Sequence, residues 1–180
     1  EFELEEEEGI YEDSAPRSFS LGFNSGLNLP FGTNISGPFS SGMILGLQIN
    51  TPIGMFIGPF EFIFGGEISY SNLGAGDGFY DVNNKITVID SYSFLNFLAN
   101  AQTKIVILDV SAGVGLSSTS IGDEISKPIM TIVVDAAYDI PVQIGPISSS
   151  LFFRAQESLG VPGQEAGTSD IIGFGLSINY

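Results

Sequence analysis

Bulky apolar residues alternate with small or polar residues along most of the chain, with a period of two. The first such block begins at Ser18 and reads S-F-S-L-G-F-N-S-G-L-N-L, and the last covers residues 171–180 and reads I-I-G-F-G-L-S-I-N-Y. Comparable alternation recurs in about eight blocks. A period of two is typical of β-strands whose two faces meet different surroundings. The pattern therefore predicts an all-β protein with eight strands.

Two of the blocks fit this pattern less well. Residues 86–101 alternate poorly in either phase, which a β-bulge would explain. Residues 147–157 alternate only if Gly145-Pro146 resets the phase. That reset places Ile147, Leu151, Phe153 and Ala155 on the bulky face, and Arg154 and Gln156 on the other.

The segments between the blocks alternate between long and short. The long ones run from Pro30 to Gly42, Asn72 to Lys85, Ser118 to Lys127 and Ser158 to Asp170. The shorter ones are Thr51 to Pro59, Gln102-Thr103 and Pro141 to Pro146. Such alternation predicts an antiparallel up-and-down arrangement with short turns at one end and long loops at the other. In outer-membrane barrels the short turns are periplasmic, so both chain ends would be periplasmic as well.

The distribution of charge favours a membrane barrel over a soluble one. Charged residues make up 14% of the chain, against roughly 25% in an ordinary soluble domain. No charge occurs between Ser18 and Phe60, yet four prolines interrupt that stretch and exclude a spanning helix. A closed barrel is the other backbone arrangement that satisfies its hydrogen bonds in lipid. The bulky face would contact lipid, and the Gly, Ser and Asn face would fill a narrow lumen.

The last strand carries a resemblance to a known class. Apolar residues alternate up to an aromatic C-terminus, at Phe174, Leu176, Ile178 and Tyr180. This segment resembles the terminal strand of bacterial outer-membrane β-barrel proteins, and the layout from Ser18 onward is similar to the eight-stranded barrels of the outer-membrane protein A and X type. The resemblance implies a location in the outer membrane. It also implies that these four residues serve as the signal for the barrel-assembly machinery.

The N-terminal segment differs in composition from the rest of the chain. Residues 1–16 form an acidic extension, expected to be periplasmic, and residues 17–180 form the barrel. The extension is either a solvated tail or a segment that contacts a cation or pairs with the sheet edge of a partner. The candidate contact residues are its glutamates, namely Glu1, Glu3, Glu5, Glu6, Glu7 and Glu8.

Several charges fall on the face predicted to line the lumen. They are Glu61, Glu67, Asp109, Asp135, Asp139 and Arg154. If the segment from Pro141 to Pro146 closes a hairpin, Arg154 lies near Val133 across the ladder and diagonal to Asp135, which predicts an Arg154–Asp135 pair. Buried charges must be paired or neutralised. The group is therefore either a structural plug, the favoured interpretation, or the lining of an acidic, cation-selective passage.

The composition argues against enzymatic and nucleic-acid-binding functions. The chain has no histidine and no cysteine, which are the common general base and thiol nucleophile. Glu61 and Glu67, the candidate carboxylate pair, would lie ~20 Å apart on one strand. No catalytic residue, metal site or cofactor is predicted, and a net charge of −16 argues against nucleic acid. The sequence predicts a structural or anchoring barrel in contact with outer-membrane lipid. One form of this role is a subunit of a larger envelope assembly that includes another envelope protein. The alternative is a narrow cation-preferring pore.

Overall fold

The alternating segments form eight long antiparallel strands in the computed structural model. It describes residues 18–31, 39–76, 79–80, 86–87, 91–121, 124–125, 128–159 and 168–180. The strands are β1 (Ser20–Phe31), β2 (Gly42–Ile57), β3 (Phe60–Ala75), β4 (Ser91–Ile105), β5 (Leu108–Ile121), β6 (Ile129–Ile144), β7 (Ile147–Leu159) and β8 (Thr168–Asn179). The acidic residues 1–17 lie outside the described part of the chain, and with them the candidate contact glutamates.

The strands close into a barrel in up-and-down order. Each strand pairs with its neighbours in sequence, and β1 pairs with β8 from Gly22 opposite Asn179 to Phe31 opposite Asp170. Leu21 and Tyr180 extend that seam through two backbone hydrogen bonds of 2.9 and 2.8 Å. A closed ladder leaves no sheet edge between the first and last strands, as a lipid environment requires. The predicted eight-stranded antiparallel barrel is confirmed.

The connections alternate in length, as predicted. Turns of two residues join β2 to β3 at Gly58-Pro59, β4 to β5 at Val106-Ile107 and β6 to β7 at Gly145-Pro146. The other four connections are longer. Their described parts add short ladders beyond the barrel wall, where Phe39–Ser40 pairs with β3 and Glu124–Ile125 pairs with β5.

The predicted turn positions need correction. Gln102-Thr103 is not a turn, because β4 continues to Ile105. The segments that begin at Thr51 and Pro141 likewise remain in β2 and β6. In each, three residues oppose one on the partner strand, between Asn50 and Gly54 and between Ile140 and Ile144. These bulges accommodate Pro52 and Pro141, which lack the N–H that a regular ladder uses.

Residues 86–101, where a bulge was considered, contain a regular strand. β4 pairs with β3 and β5 without a register shift. The alternation is hidden in the sequence because the inward face of β4 carries Tyr92, Phe94 and Leu98 as well as amides. When apolar residues occupy both faces of a strand, its sequence does not alternate between apolar and polar residues.

The bulky face of the strands points outward and the small polar face points inward. Exposed apolar side chains cover the outer wall on every strand, for example Phe23, Leu47, Ile68 and Phe153. Phe174, Leu176, Ile178 and Tyr180 also lie on the outer surface. Within the described residues, no helix is long and apolar enough to cross a membrane. A wall of this kind is stable only where hydrocarbon covers it, so the barrel spans a membrane.

Candidate functional site: the barrel lumen

An ionic triad crosses the middle of the lumen. Arg154 on β7 lies directly opposite Asp135 on β6 in the ladder, and Glu67 comes from β3 on the far wall, four strands away. The Arg154 guanidinium donates to Glu67 at 2.5 and 2.6 Å and to Asp135 at 2.6 and 2.8 Å. Arg154 is only 1% exposed. The predicted Arg154–Asp135 pair is confirmed, and Glu67 is an additional partner.

The register of this pair differs from the prediction. Val133 lies opposite Gln156 rather than Arg154, so Asp135 faces Arg154 directly and not diagonally. The cause is the position of the hairpin: its turn is Gly145-Pro146, and the bulge at residues 141–143 absorbs the rest of the segment that was predicted to be the turn.

The triad uses the planar geometry of arginine fully. Nε and Nη2 of Arg154 donate hydrogen bonds to the two carboxylate oxygens of Asp135, and Nη1 and Nη2 donate to those of Glu67. Two bidentate contacts on one guanidinium hold carboxylates from opposite walls in a fixed arrangement. The Phe152 ring lies 6.0 Å from the guanidinium carbon, within the range of a cation–π contact. The triad therefore ties the barrel together across its diameter.

A polar vestibule opens below the triad at the short-turn end. Its volume is about 420 Å³. Asp109, Asp135 and Asp139 line it, together with serines, amides and a few apolar side chains. Glu61 is half-buried near the start of β3, opposite Phe56, and is not among the residues that line this cavity.

Lys104 is a charge at the mouth of the vestibule that the sequence interpretation missed. Its ammonium lies 2.8 Å from Asp139 and 3.7 Å from Asp109. The misplaced turn at Gln102-Thr103 removed Lys104 from the strand, although Lys104 continues the inward phase of Asn100 and Gln102. In the sequence, the only signal that Lys104 faces inward was that the alternation of Asn100 and Gln102 can be extended by one step. Asp109 and Asp139 therefore share Lys104 as a positively charged partner.

The lumen above the triad is filled with buried polar side chains. Asn96 donates to Gln156 at 3.1 Å and to Ser69 at 3.3 Å, and the hydroxyls of Thr131 and Ser158 are 2.8 Å apart. All five side chains are almost completely buried. This layer separates the triad from the long-loop end.

An apolar layer, also missed from the sequence, lies at the long-loop end. Its buried residues are Phe39, Leu73, Tyr92, Phe94 and Ile171. Tyr92 packs against Phe39 and Phe94 with ring centroids 5.0 and 4.2 Å away. No periodicity distinguishes these inward apolar residues from outward ones. Among the described residues, the lumen is thus open only toward the short turns.

The described residues were also compared with the requirements of a metal site. No three or more His, Cys, Asp or Glu side chains of the described residues are grouped so that they could hold a metal ion. The acids of the vestibule are balanced in part by Lys104, and those of the triad by Arg154.

Comparison with solved structures identifies the class of fold. Neisserial surface protein A superimposes with a TM-score of 0.56 at 13% sequence identity, over 90% of this chain and 97% of that chain. The chain is a membrane β-barrel with the fold of the small bacterial outer-membrane proteins. OprG from Pseudomonas aeruginosa gives a TM-score of 0.46 at 8% identity, over 91% of this chain and 96% of that one. AlkL gives 0.43 at 11% identity, over 96% of both chains. No protein-family model and no curated protein sequence matches the chain.

Proposed function

We propose that the protein is a non-enzymatic outer-membrane barrel with a structural or anchoring role, and that its lumen does not conduct. The observation that carries the proposal is the closed upper half of the lumen. The triad, the polar layer and the apolar layer follow one another between the vestibule and the long-loop end. Eight strands enclose an interior that side chains can fill completely, and here they do so above the vestibule.

A conductance measurement tests this proposal. Purified protein inserted into a planar bilayer should give no stable single-channel steps, because a permeating ion would have to displace the salt bridges of Arg154 and cross the apolar layer that contains Tyr92 and Phe94. Flotation of proteoliposomes made from the same preparation verifies insertion. Stable steps from the unmodified protein would contradict the closed lumen.

The vestibule favours a second candidate, a narrow cation-preferring pore. Asp109 and Asp139 carry two negative charges at its mouth against the single charge of Lys104. If the lumen conducts, its cation preference should fall in Asp109→Asn and Asp139→Asn, and should remain in Tyr138→Phe, an outward-facing neighbour of Asp139 on β6. Conductance without this charge dependence would exclude the acidic vestibule as the selective element.

We propose that both chain ends are periplasmic, and that residues 1–16 form an extension that contacts another envelope protein. The N-terminus of β1 and the C-terminus of β8 lie at the end of the barrel that carries the short turns, and Ser18 lines the vestibule. Its glutamates suit a basic partner surface or a cation. The outward residues Phe174, Leu176, Ile178 and Tyr180 suit recognition by the assembly machinery, since they lie on the strand that closes the barrel.

Deletion of residues 1–13 tests the anchoring role. The truncated barrel should insert normally, because the described strands begin at Ser20, but it should lose a protein that co-purifies with the full chain from detergent-solubilised outer membranes. A matched control replaces Glu1, Glu3 and Glu5 to Glu8 with glutamine and keeps the length. If complexes from the deleted, substituted and unmodified proteins have the same composition, the extension does not anchor a partner.

A further inference from the structure

The end of the barrel that carries the short turns is ringed by exposed apolar side chains. We define the short-turn rim by Phe56, Ile57, Ile105, Val106, Ile107 and Ile144. Val106 is 88% exposed, Ile144 74%, Phe56 68% and Ile107 60%. Turns that face water usually carry Gly, Asn, Asp or Ser. Gly58-Pro59 and Gly145-Pro146 have that ordinary composition, but Val106-Ile107 and the exposed strand residues beside the three turns do not, which indicates that the surroundings of this end are not aqueous.

The backbone at Val106 strengthens this point. The first residue of each short turn has a positive φ, of 59° at Gly58, 61° at Gly145 and 58° at Val106. Glycine adopts this conformation freely, whereas a β-branched residue adopts it at a cost in free energy. Because the Val106 side chain is almost fully exposed, contacts within the described barrel do not offset that cost. An apolar environment outside the chain would offset the cost.

The short-turn rim is continuous with the lipid-facing wall. Met55, Phe60, Leu108 and Ile147 connect the turns to the outward faces of their strands. The charges at this end turn the other way: Lys104, Asp109 and Asp139 meet at the mouth of the vestibule. Glu61, which is half-buried, lies opposite Phe56 in the ladder, so the apolar surface of the β2–β3 hairpin borders one carboxylate.

The distribution of the rim around the barrel identifies what covers it. The three turns belong to the hairpins β2–β3, β4–β5 and β6–β7, which are spaced around most of the circumference. A bilayer leaflet surrounds a barrel on all sides, whereas one protein partner would cover one sector. We propose that the short-turn rim is inserted into the acyl-chain boundary of the leaflet on that side, so that the vestibule opens among lipid headgroups rather than into free solution.

Tryptophan fluorescence tests the proposal directly, because the chain contains no tryptophan. Ile107→Trp and Ile144→Trp place one reporter on each of two separate hairpins and avoid the positive φ of Val106. In phosphatidylcholine vesicles, both reporters should emit at short wavelength. Lipids brominated near the headgroup end of the acyl chains should quench both, and aqueous acrylamide should quench them only weakly.

Two matched variants calibrate the measurement. Phe97→Trp lies in the middle of the outer wall and should be quenched best by lipids brominated deep in the acyl chains. Ile125→Trp lies in the connection between β5 and β6 and should be quenched by acrylamide. If the reporters at positions 107 and 144 behave like the one at 125, the rim is in water and the proposal fails. Lipid quenching at only one of the two positions would also overturn it, because a leaflet must reach both hairpins.

Discussion

Replacement of Arg154 with methionine is expected to lower the free energy of unfolding by about 3–5 kcal/mol, the range measured when one partner of a buried ion pair is removed. Methionine fills a similar volume but leaves Glu67 and Asp135 without their shared cation in the closed part of the lumen. Urea unfolding in lipid vesicles, followed by tyrosine fluorescence, measures the loss.

Two further variants separate the cost of broken pairing from the value of the triad itself. Arg154→Lys keeps the charge but cannot form two bidentate contacts, so it should fall between the native protein and Arg154→Met. The triple variant Glu67→Gln, Asp135→Asn, Arg154→Met should be much more stable than Arg154→Met alone, because no buried charge remains. A loss below about 1 kcal/mol in Arg154→Met, the level of a surface pair, would show that the triad is hydrated.

Replacement of Gly115 with alanine is expected to be one of the most damaging small substitutions in the wall. A Cβ at this position would lie 1.9 Å from the carbonyl oxygen of Phe97 and 2.9 Å from the Cα of Leu98. Both atoms belong to the backbone of β4, so neither can move without distorting the ladder. We expect a loss of about 3 kcal/mol, at the upper end of the range for overpacking, measured by the same urea titration.

Gly113→Ala is the matched control. Gly113 lies two residues away on the same face of β5, and its nearest contact to an added Cβ is 3.5 Å. Alanine should therefore fit and leave stability unchanged, or raise it by up to about 1 kcal/mol through the reduced entropy of the unfolded chain. Equal losses at the two positions would mean that the close approach of β4 to β5 at Gly115 does not exist in the membrane.

The Arg154 triad and the close contact at Gly115 both belong to a narrow barrel. Eight strands keep the barrel narrow, and glycines such as Gly115 leave room for the backbone of the neighbouring strand. In a narrow barrel, one arginine can reach carboxylates on opposite walls. The closed lumen, from which the proposed structural role follows, therefore depends on the small number of strands as well as on the large residues inside it.

The fold class could be predicted because a spanning barrel imposes a simple rule on each strand separately. One face contacts lipid and the other fills the lumen, so the alternation in β1 or β8 indicates a two-faced strand without knowledge of its neighbours. β4 shows where the rule stops. Its lumenal face includes Tyr92 and Phe94, which resemble lipid-facing residues in sequence and are distinguished from them only by their position in the closed barrel.

The position of the turns and the partners of the lumenal charges depend on tertiary structure. Pro52, Pro141 and Thr103 suggested turns by local chemistry, but bulges and the pairing with neighbouring strands continue the ladder through them. This shift placed Lys104 at the mouth of the vestibule, beside Asp109 and Asp139, and Asp135 directly opposite Arg154. The contact with Glu67 joins residues 87 positions apart in sequence, and only the curvature that brings β3 and β7 to opposite sides of one narrow lumen sets that distance.

The sequence by itself determined the eight strands, their antiparallel order, the direction of their faces and the acidic character of the lumen, because each of these follows from local alternation and from the length of the connections. The tertiary structure alone decided which charges meet, which half of the lumen is filled and where the vestibule opens. Those features depend on the register and closure of the barrel, which are set by all eight strands together and not by any one segment.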